Sequence, residues 1–489
     1  MKKNLILPDL SRITKKLLDV LLILLIAGIG SCNLAPVFQK PDQDIYDNFK
    51  YKAFADSLSS ISIDTVWWKY FEDTTLDNII RQVSLNNNNL QAALYSFEQA
   101  NILTRVERSP LLPEVQTEIN TSRTVVSENA VQSFQSNKFT NYSLLGLASY
   151  QLDLWGALRN NYQASIIASE ISLLEYYNLL SVLRAQAASQ YISIRQLDTQ
   201  IALYDSTIRL RERSLQIANL NYEAGASDAL DPARAETQLR TAQSQRWTLI
   251  NQRARLENSL AVLTGREPSN FSLPDTPLDS LPPIIPSKIP SEVLTRRPDV
   301  WIALKSMEAE NARIGIAKAN LYPNVTLSAQ VGFQGKSFEN ILTPQSFAWT
   351  IGGGLLQPVF NYGRNKALVE AAYARYQEVA ELYQQSVLSA FEEVENELAN
   401  IYYLNNQYRR QQQTVSAATR TLDLARQRYE AGLVSYLEVV DAERTALLNQ
   451  VDAVGLVGEL YQSMINLSLA SGGNWESGPQ LYEAEEFME

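Results

Sequence analysis

The chain contains no histidine. That excludes histidine triads, histidine-ligated metal centres and histidine general bases together. There is one cysteine, so neither an internal disulfide framework nor a cysteine-rich metal cluster can be built. Four methionines and no histidine argue against a dedicated soft-metal route. Positive charge is short as well. The 42 Lys and Arg face 53 Asp and Glu, a formal charge of −11, so a nucleic-acid partner is not expected. Carboxylate pairs such as Asp441 and Glu443 exist, but two apart on a helix they face different directions. No catalytic site, cofactor or metal is expected. What remains is ordinary for a folded chain: 45% apolar and 19% charged residues over 489 positions.

The N-terminus is basic, with Lys2, Lys3, Arg12, Lys15 and Lys16. An uncharged apolar run follows from Val20 to Ile29, about half the ~20 residues of a membrane-spanning helix. With small residues after it, this predicts a signal peptide over residues 1–31. Ile29-Gly30-Ser31-Cys32 resembles a bacterial lipobox, which makes Cys32 the candidate lipidation site. Asn33 after it permits sorting to the outer membrane. Removal of residues 1–31 leaves 37 basic and 51 acidic residues, a side-chain charge of −14.

The rest of the chain is an internal duplication, which decides the architecture. Tyr222-Glu223-Ala224-Gly225 matches Tyr429-Glu430-Ala431-Gly432 at an offset of 207. The same offset pairs Gly156 with Gly363, Tyr176 with Tyr383, Leu230 with Leu437, Ala235-Glu236 with Ala442-Glu443 and Gly265 with Gly472. Each copy reads as helix, two strands, long helix, helix. From Gly156 to Tyr222, and again from Gly363 to Tyr429, nothing interrupts a helix after the first glycine. That predicts roughly 100 Å of helix in each. Leu173, Tyr176, Tyr177, Leu180, Leu183 and Ala187 recur at threes and fours, a stripe that packs another helix lengthwise. Gly225 and Gly432 suit the left-handed residue that ends a helix, and Asp228 and Ser435 lie near the caps of the returning helices. Both turns should therefore lie at one end of the molecule. Seven prolines between Arg266 and Pro290 predict an extended strap, pinned by Phe271, Leu273, Ile284 and Ile285.

Four segments alternate with a period of two: Glu114 to Val125, Tyr142 to Leu154, Val325 to Gln334 and Phe347 to Leu355. A soluble sandwich and a lipid-facing barrel both produce that pattern, and periodicity leaves the two open. Four strands cannot close a membrane barrel, whose smallest bacterial forms have about eight.

Several motifs together are specific. Trp67-Trp68-Lys69-Tyr70-Phe71, Leu294-Thr295-Arg296-Arg297-Pro298-Asp299 and Ala319-Asn320-Leu321-Tyr322-Pro323 are three of them. The fourth is Tyr429-Glu430-Ala431-Gly432 with Leu437 through Asp441-Ala442-Glu443. The set resembles the TolC-type outer-membrane efflux factors, most of all the lipidated NodT/OprM-like branch. The first strand-to-helix junction, Leu154-Trp155-Gly156-Ala157, departs from the pattern in lacking an arginine.

The resemblance implies a mainly α chain with a β-barrel part. Three copies would pool their strands into one twelve-stranded outer-membrane barrel on a long α-helical periplasmic tunnel. It implies passive conduction of small molecules delivered by an inner-membrane pump of the resistance-nodulation-division type through a periplasmic adaptor. The tips at Tyr222, Gly225, Tyr429 and Gly432 would dock the adaptor. Leu437 and Asp441, four apart on one helix face, would form the aperture, with Arg234 as an ion-pair neighbour. The organisation expected is a signal peptide at 1–31, an anchor segment at 32–75, repeats at 76–265 and 291–473 around a strap at 266–290, and an acidic tail at 474–489. The alternative is a structural coiled-coil periplasmic lipoprotein without channel activity, which would need no aromatic strands such as Phe347 to Leu355.

Overall fold

The structure is a computed structural model that describes residues 32–41, 49–51, 66–127, 138–278, 281–282 and 297–472. The signal peptide, Leu294 to Arg296, Ile284, Ile285 and the acidic tail lie outside the described residues.

The main elements are α1 (Thr74–Asn86), α2 (Asn88–Arg108), β1 (Glu114–Val125), β2 (Lys138–Leu152), α3 (Ala157–Glu223), α4 (Leu230–Leu263), α5 (Pro298–Ala319), β3 (Asn324–Gly335), β4 (Phe347–Leu356), α6 (Arg364–Glu430) and α7 (Tyr436–Ala470). The break between α1 and α2 falls at Asn87, whose side chain accepts from the amides of Asn89 and Leu90. The Asn87 side chain thus supplies an N-cap for α2. The second strand stops at Leu152, short of Leu154, because Asp153 turns inward to cap α3 through the amides of Leu158 and Arg159. Asp153 also pairs with Arg159 at 3.1 Å, an arginine three residues beyond Gly156.

Both long helices have 67 residues and begin 207 apart. Six glycines have positive φ: Gly156, Gly225, Gly265, Gly363, Gly432 and Gly472. They form three pairs at the same offset and mark the start of each long helix, its end and the end of the returning helix. At these points a Cβ is disfavoured by backbone conformation.

The chain divides into two compact units. The first comprises Met1–Pro41, Ser96–Ser172 and Ala303–Tyr383. It holds the sheet, and Met307, Val379 and Ala380 form an apolar core against Phe38 and Tyr376. The four strands form one antiparallel sheet in chain order, β1-β2-β3-β4. The pairing of β2 with β3 joins the two copies, with Ala148 opposite Ala329.

The second unit comprises Asp42–Tyr95, Leu173–Ile302 and Gln384–Glu489. Its core gathers Trp67, Trp68, Leu76, Ile80, Leu90, Tyr191, Ile194, Leu260 and Ile465. The described part of the strap is tied to this unit. The Leu273 amide donates to Glu257, the Thr276 amide to Asp198 and the Leu278 amide to Thr199. Arg253 holds the network together, pairing with Asp198 at 2.5 Å and donating to the Leu273 carbonyl.

Candidate functional site

In an antiparallel sheet, residues directly opposite one another share a face. One face carries Val115, Ile119, Leu144, Ala148, Tyr150, Leu152, Val325, Leu327, Ala329, Val331, Phe333, Phe347, Trp349, Ile351 and Leu355. The other carries Glu114, Gln116, Glu118, Asn120, Ser143, Ser149, Ser328, Gln330, Gln334 and Thr350, interrupted by Leu145 and Leu147. Among the described residues no core covers the apolar face: Ile119 is 79% exposed, Ile351 66% and Trp349 65%. A sandwich would bury that face, so the choice left open by periodicity falls to the lipid-facing sheet. Trp155 and Tyr322 stack at 4.7 Å where the strands end, and the Trp155 indole donates to the Pro323 carbonyl. Aromatic rings with one polar contact suit a membrane interface.

The two helical turns come together in the second unit. Each ends in a Schellman arrangement, with Ala226 N–H reaching the Asn221 carbonyl and Leu433 N–H reaching the Arg428 carbonyl. Gly225 has φ +67° and Gly432 φ +71°. The Asn221 amide donates to the Tyr429 hydroxyl, and Tyr429 packs on Tyr436. Tyr222 is exposed. Asp228 caps α4 through the Leu230 amide. Ser435 occupies the cap position of α7, but its side chain makes no capping bond.

On α7, Leu437, Glu438 and Asp441 lie on an exposed face, while Tyr436, Val439, Ala442 and Glu443 are buried. The expected Arg234–Asp441 ion pair is not made within the chain. Asp441 pairs instead with Arg444 one turn on, at 2.9 Å and fully in reach of water. Arg234 faces Asp231 on its own helix. The reason is geometric: α7 turns Asp441 away from the first hairpin.

The buried side of α7 carries the charge that spacing alone did not reveal. Glu443, with its side chain 4% exposed, accepts from Arg426 at 2.9 Å and stands 3.8 Å from Arg211, itself 5% exposed. Arg211 donates to the Gln238 carbonyl at 2.6 Å, and Ser214 reaches Glu443 at 3.4 Å. Burial, then the Glu443 carboxylate, pushes the Tyr436 phenol up, so it stays protonated. Burial pulls the Arg211 guanidinium down, against the opposing pull of Glu443. A cavity of about 250 Å³ lies beside this cluster, lined in part by Ser214, Arg426, Tyr429 and Tyr436.

Cys32 is exposed and in no disulfide. The residues after it are held firmly in the first unit. Asn33 accepts from its own Ala35 amide and from the Asn160 side chain, and Asn311 donates to the Pro36 carbonyl. A Cβ at Gly315 would meet Asn160 at 2.5 Å and Ala35 at 2.7 Å, so only glycine leaves room for this segment.

A sheet with its apolar face outward, on a chain whose long helices pair into hairpins, defines a membrane channel subunit. The family model for "Outer membrane efflux protein" matches residues 79–266 and 289–473, and the chain belongs to that family. The pyoverdine export outer membrane protein OpmQ of Pseudomonas aeruginosa is 29% identical over 460 residues, covering 92% of this chain and 96% of that protein. The probable efflux pump outer membrane protein TtgC of Pseudomonas putida is 28% identical over 473 residues, covering 94% and 96%. Among solved structures, the outer-membrane channel OprN superposes with a TM-score of 0.84 at 25% identity, over 91% of this chain and 100% of that one. CusC superposes at 0.81, also at 25% identity, over 90% and 99%. The chain is thus an outer-membrane efflux channel protein of tripartite efflux systems and not an enzyme.

Proposed function

We propose that three copies of this lipid-anchored chain form one conduit from a periplasmic adaptor to the cell exterior. The observation that carries this reading is the sheet. Its apolar face is bare, and among the described residues β1 and β4 each keep one edge unpaired. An open edge is not tolerated in hydrocarbon. Four strands from each of three chains close the ring at twelve, within the bacterial range of about 8 to 26. The polar face, with Glu114 and Glu118, then lines water.

In this reading the paired tips form the periplasmic end. Tyr222, Gly225, Tyr429 and Gly432 belong to the adaptor-docking surface, and a pump of the resistance-nodulation-division type supplies the cargo. The exposed stripe of α7 faces the threefold axis. Leu437 gives a ring that resists wetting, and Asp441 a ring of like charges that draws cations. Glu438, exposed beside Leu437, adds to the acid there. Arg234 meets Asp441 between chains, as it does not within one. Cys32 carries the lipid, and the docked Asn33 to Phe38 segment holds it to the sheet-bearing unit. Relatives named for pyoverdine, antibiotic and toluene export are 28–29% identical to the chain. A broad range of small organic cargo follows from that spread.

The test is direct. Protein extracted from outer membranes should run as a heat-resistant trimer in detergent and conduct in planar bilayers. A monomer without conductance would leave the coiled-coil lipoprotein as the better description.

A further inference from the structure

We propose that the end of the sheet away from the helices carries, on its apolar face, a binding site for the phosphorylated glycolipid of the outer leaflet, one site per chain. The site rests on the membrane-facing reading above and lies outside the conduit.

Among the described residues of the four strands, four are charged, and they sort by sign, face and end. Glu114 and Glu118 lie in the half of β1 that follows α2, on the polar face. Arg123 and Lys138 lie at the opposite end, on the apolar face with Ile119 and Leu144. Arg123 stands opposite Thr140, and Lys138 opposite Val125. The two cations are therefore diagonal neighbours, about 7–8 Å apart at the backbone. Both are exposed, and Thr121 and Thr140 add hydroxyls on the same face.

A layer of rings lies just inside the cations. Tyr142 opposes Thr121, and its ring meets Phe338 edge-on at 5.9 Å. The loop between β3 and β4 holds Phe338 in place, because the Thr343 and Ser346 hydroxyls both donate to the Asn340 carbonyl and Ile341 is buried. Phe333 and Phe347 pack at 5.8 Å on the same face. From Tyr142 to the end of β2 at Leu152 is ten residues. At about 3.4 Å per residue and a tilt of about 40°, that span is roughly 25 Å along the membrane normal, the height of an outer-membrane apolar band. The rings then sit at the boundary of the hydrocarbon. Thr140 and Lys138 are two and four positions further along β2, which sets the cations roughly 5–10 Å beyond the rings, at the depth of headgroup phosphates.

Charge and asymmetry identify the occupant. Cations that only reach for water would serve either rim alike. At the helix-proximal end, however, the apolar face finishes in Leu152, Val325 and Leu355, without charge. One leaflet is thus singled out. The outer leaflet is the one whose lipid carries phosphates on a sugar headgroup, crowded together and bridged by divalent cations. The Arg123 guanidinium suits a phosphate as a two-pronged donor, and the Lys138 ammonium adds a point charge beside it. Tyr142 and Phe338 offer faces to the sugar and the first methylenes. The two side chains do the work of a bridging cation and hold a lipid against each chain.

Native mass spectrometry of the full-length protein in detergent tests this, with diphosphorylated lipid A as the probe. Wild-type trimers should bind up to three copies. Arg123→Gln and Lys138→Gln should each weaken binding about fivefold, and the double variant roughly thirtyfold. Dephosphorylated lipid A should bind wild type as weakly as lipid A binds the double variant. Equal binding of lipid A by wild type and double variant overturns the proposal. So does equal binding of the two lipids by wild type, a comparison that needs no variant to fold. Phosphatidylglycerol that binds as tightly and responds to the same substitutions would make this a general anionic-lipid patch, and displacement of lipid A by inorganic phosphate would make it a free-ion site; either result overturns it. Monomers that each carry one phosphate-dependent lipid A would defeat the trimeric reading and leave the site standing.

Discussion

Asp441 and Glu443 stand two residues apart, and their fates differ entirely. One is solvated beside Arg444, and the other is nearly sealed between two arginines from two helices. Their alternation was legible, because 100° per residue turns them to different sides of a helix. The identity of Glu443's partners was not, since Arg211 is 232 positions away and no local rule couples them. At the aperture, Asp441→Ala should lower cation preference in planar bilayers, and Leu437→Ser should raise conductance. Wild-type behaviour in both would place the constriction elsewhere. At the other end of the chain, the proposed lipid anchor predicts that Cys32→Ser abolishes palmitate labelling, because Cys32 is the one thiol in the sequence. The sheet supplies membrane affinity of its own, so conduction should survive that change. Equal labelling of both proteins would refute the anchor.

Long elements were the most readable part of the molecule. Each 67-residue helix is continuous because neither proline nor glycine enters it, and each stops where a glycine takes a positive φ. Strand positions were readable from alternation, but not which face met lipid or that β2 would pair with β3 across the two copies. Those depend on contacts between residues far apart in the chain. At this scale the strap offers a test. Arg253→Ala would leave Asp198, with its side chain 2% exposed, without its cation. Loss of one partner of such a buried pair costs about 3–5 kcal/mol, so thermal melting of the helical unit should fall markedly. Asp198→Asn in the same background should recover much of it. At the tip, Ala431→Pro removes the bond from the Ala431 amide to the Gln427 carbonyl. Trimers should still assemble, while efflux of a dye from whole cells should be lost. Full efflux from that variant would move the docking surface away from the turn.

For the whole molecule, the sheet converts a sequence pattern into a membrane boundary. Thr350 and Ile351 are neighbours in β4 on opposite faces. Ile351→Arg would put a guanidinium in hydrocarbon, costing about 2–4 kcal/mol near the midplane in each of three chains. Heat-resistant trimers should therefore be lost. Thr350→Arg points into the water-filled interior and should assemble normally, with altered ion selectivity. If both variants assemble alike, the assignment of the two faces fails.

The joint between β2 and β3 also has a consequence in time. The first two strands emerge as an apolar-faced pair whose third partner begins at Asn324, after α3, α4 and the strap. At 5–20 residues per second, the wait is roughly ten to thirty seconds. Pairings so distant along the chain form late and slowly. For that interval two of the chain's four strands wait for the other two, and their survival depends on being held apart from apolar neighbours. Slower synthesis lowers the number of such halves present together, so yield of assembled channel should rise as the rate of expression is reduced.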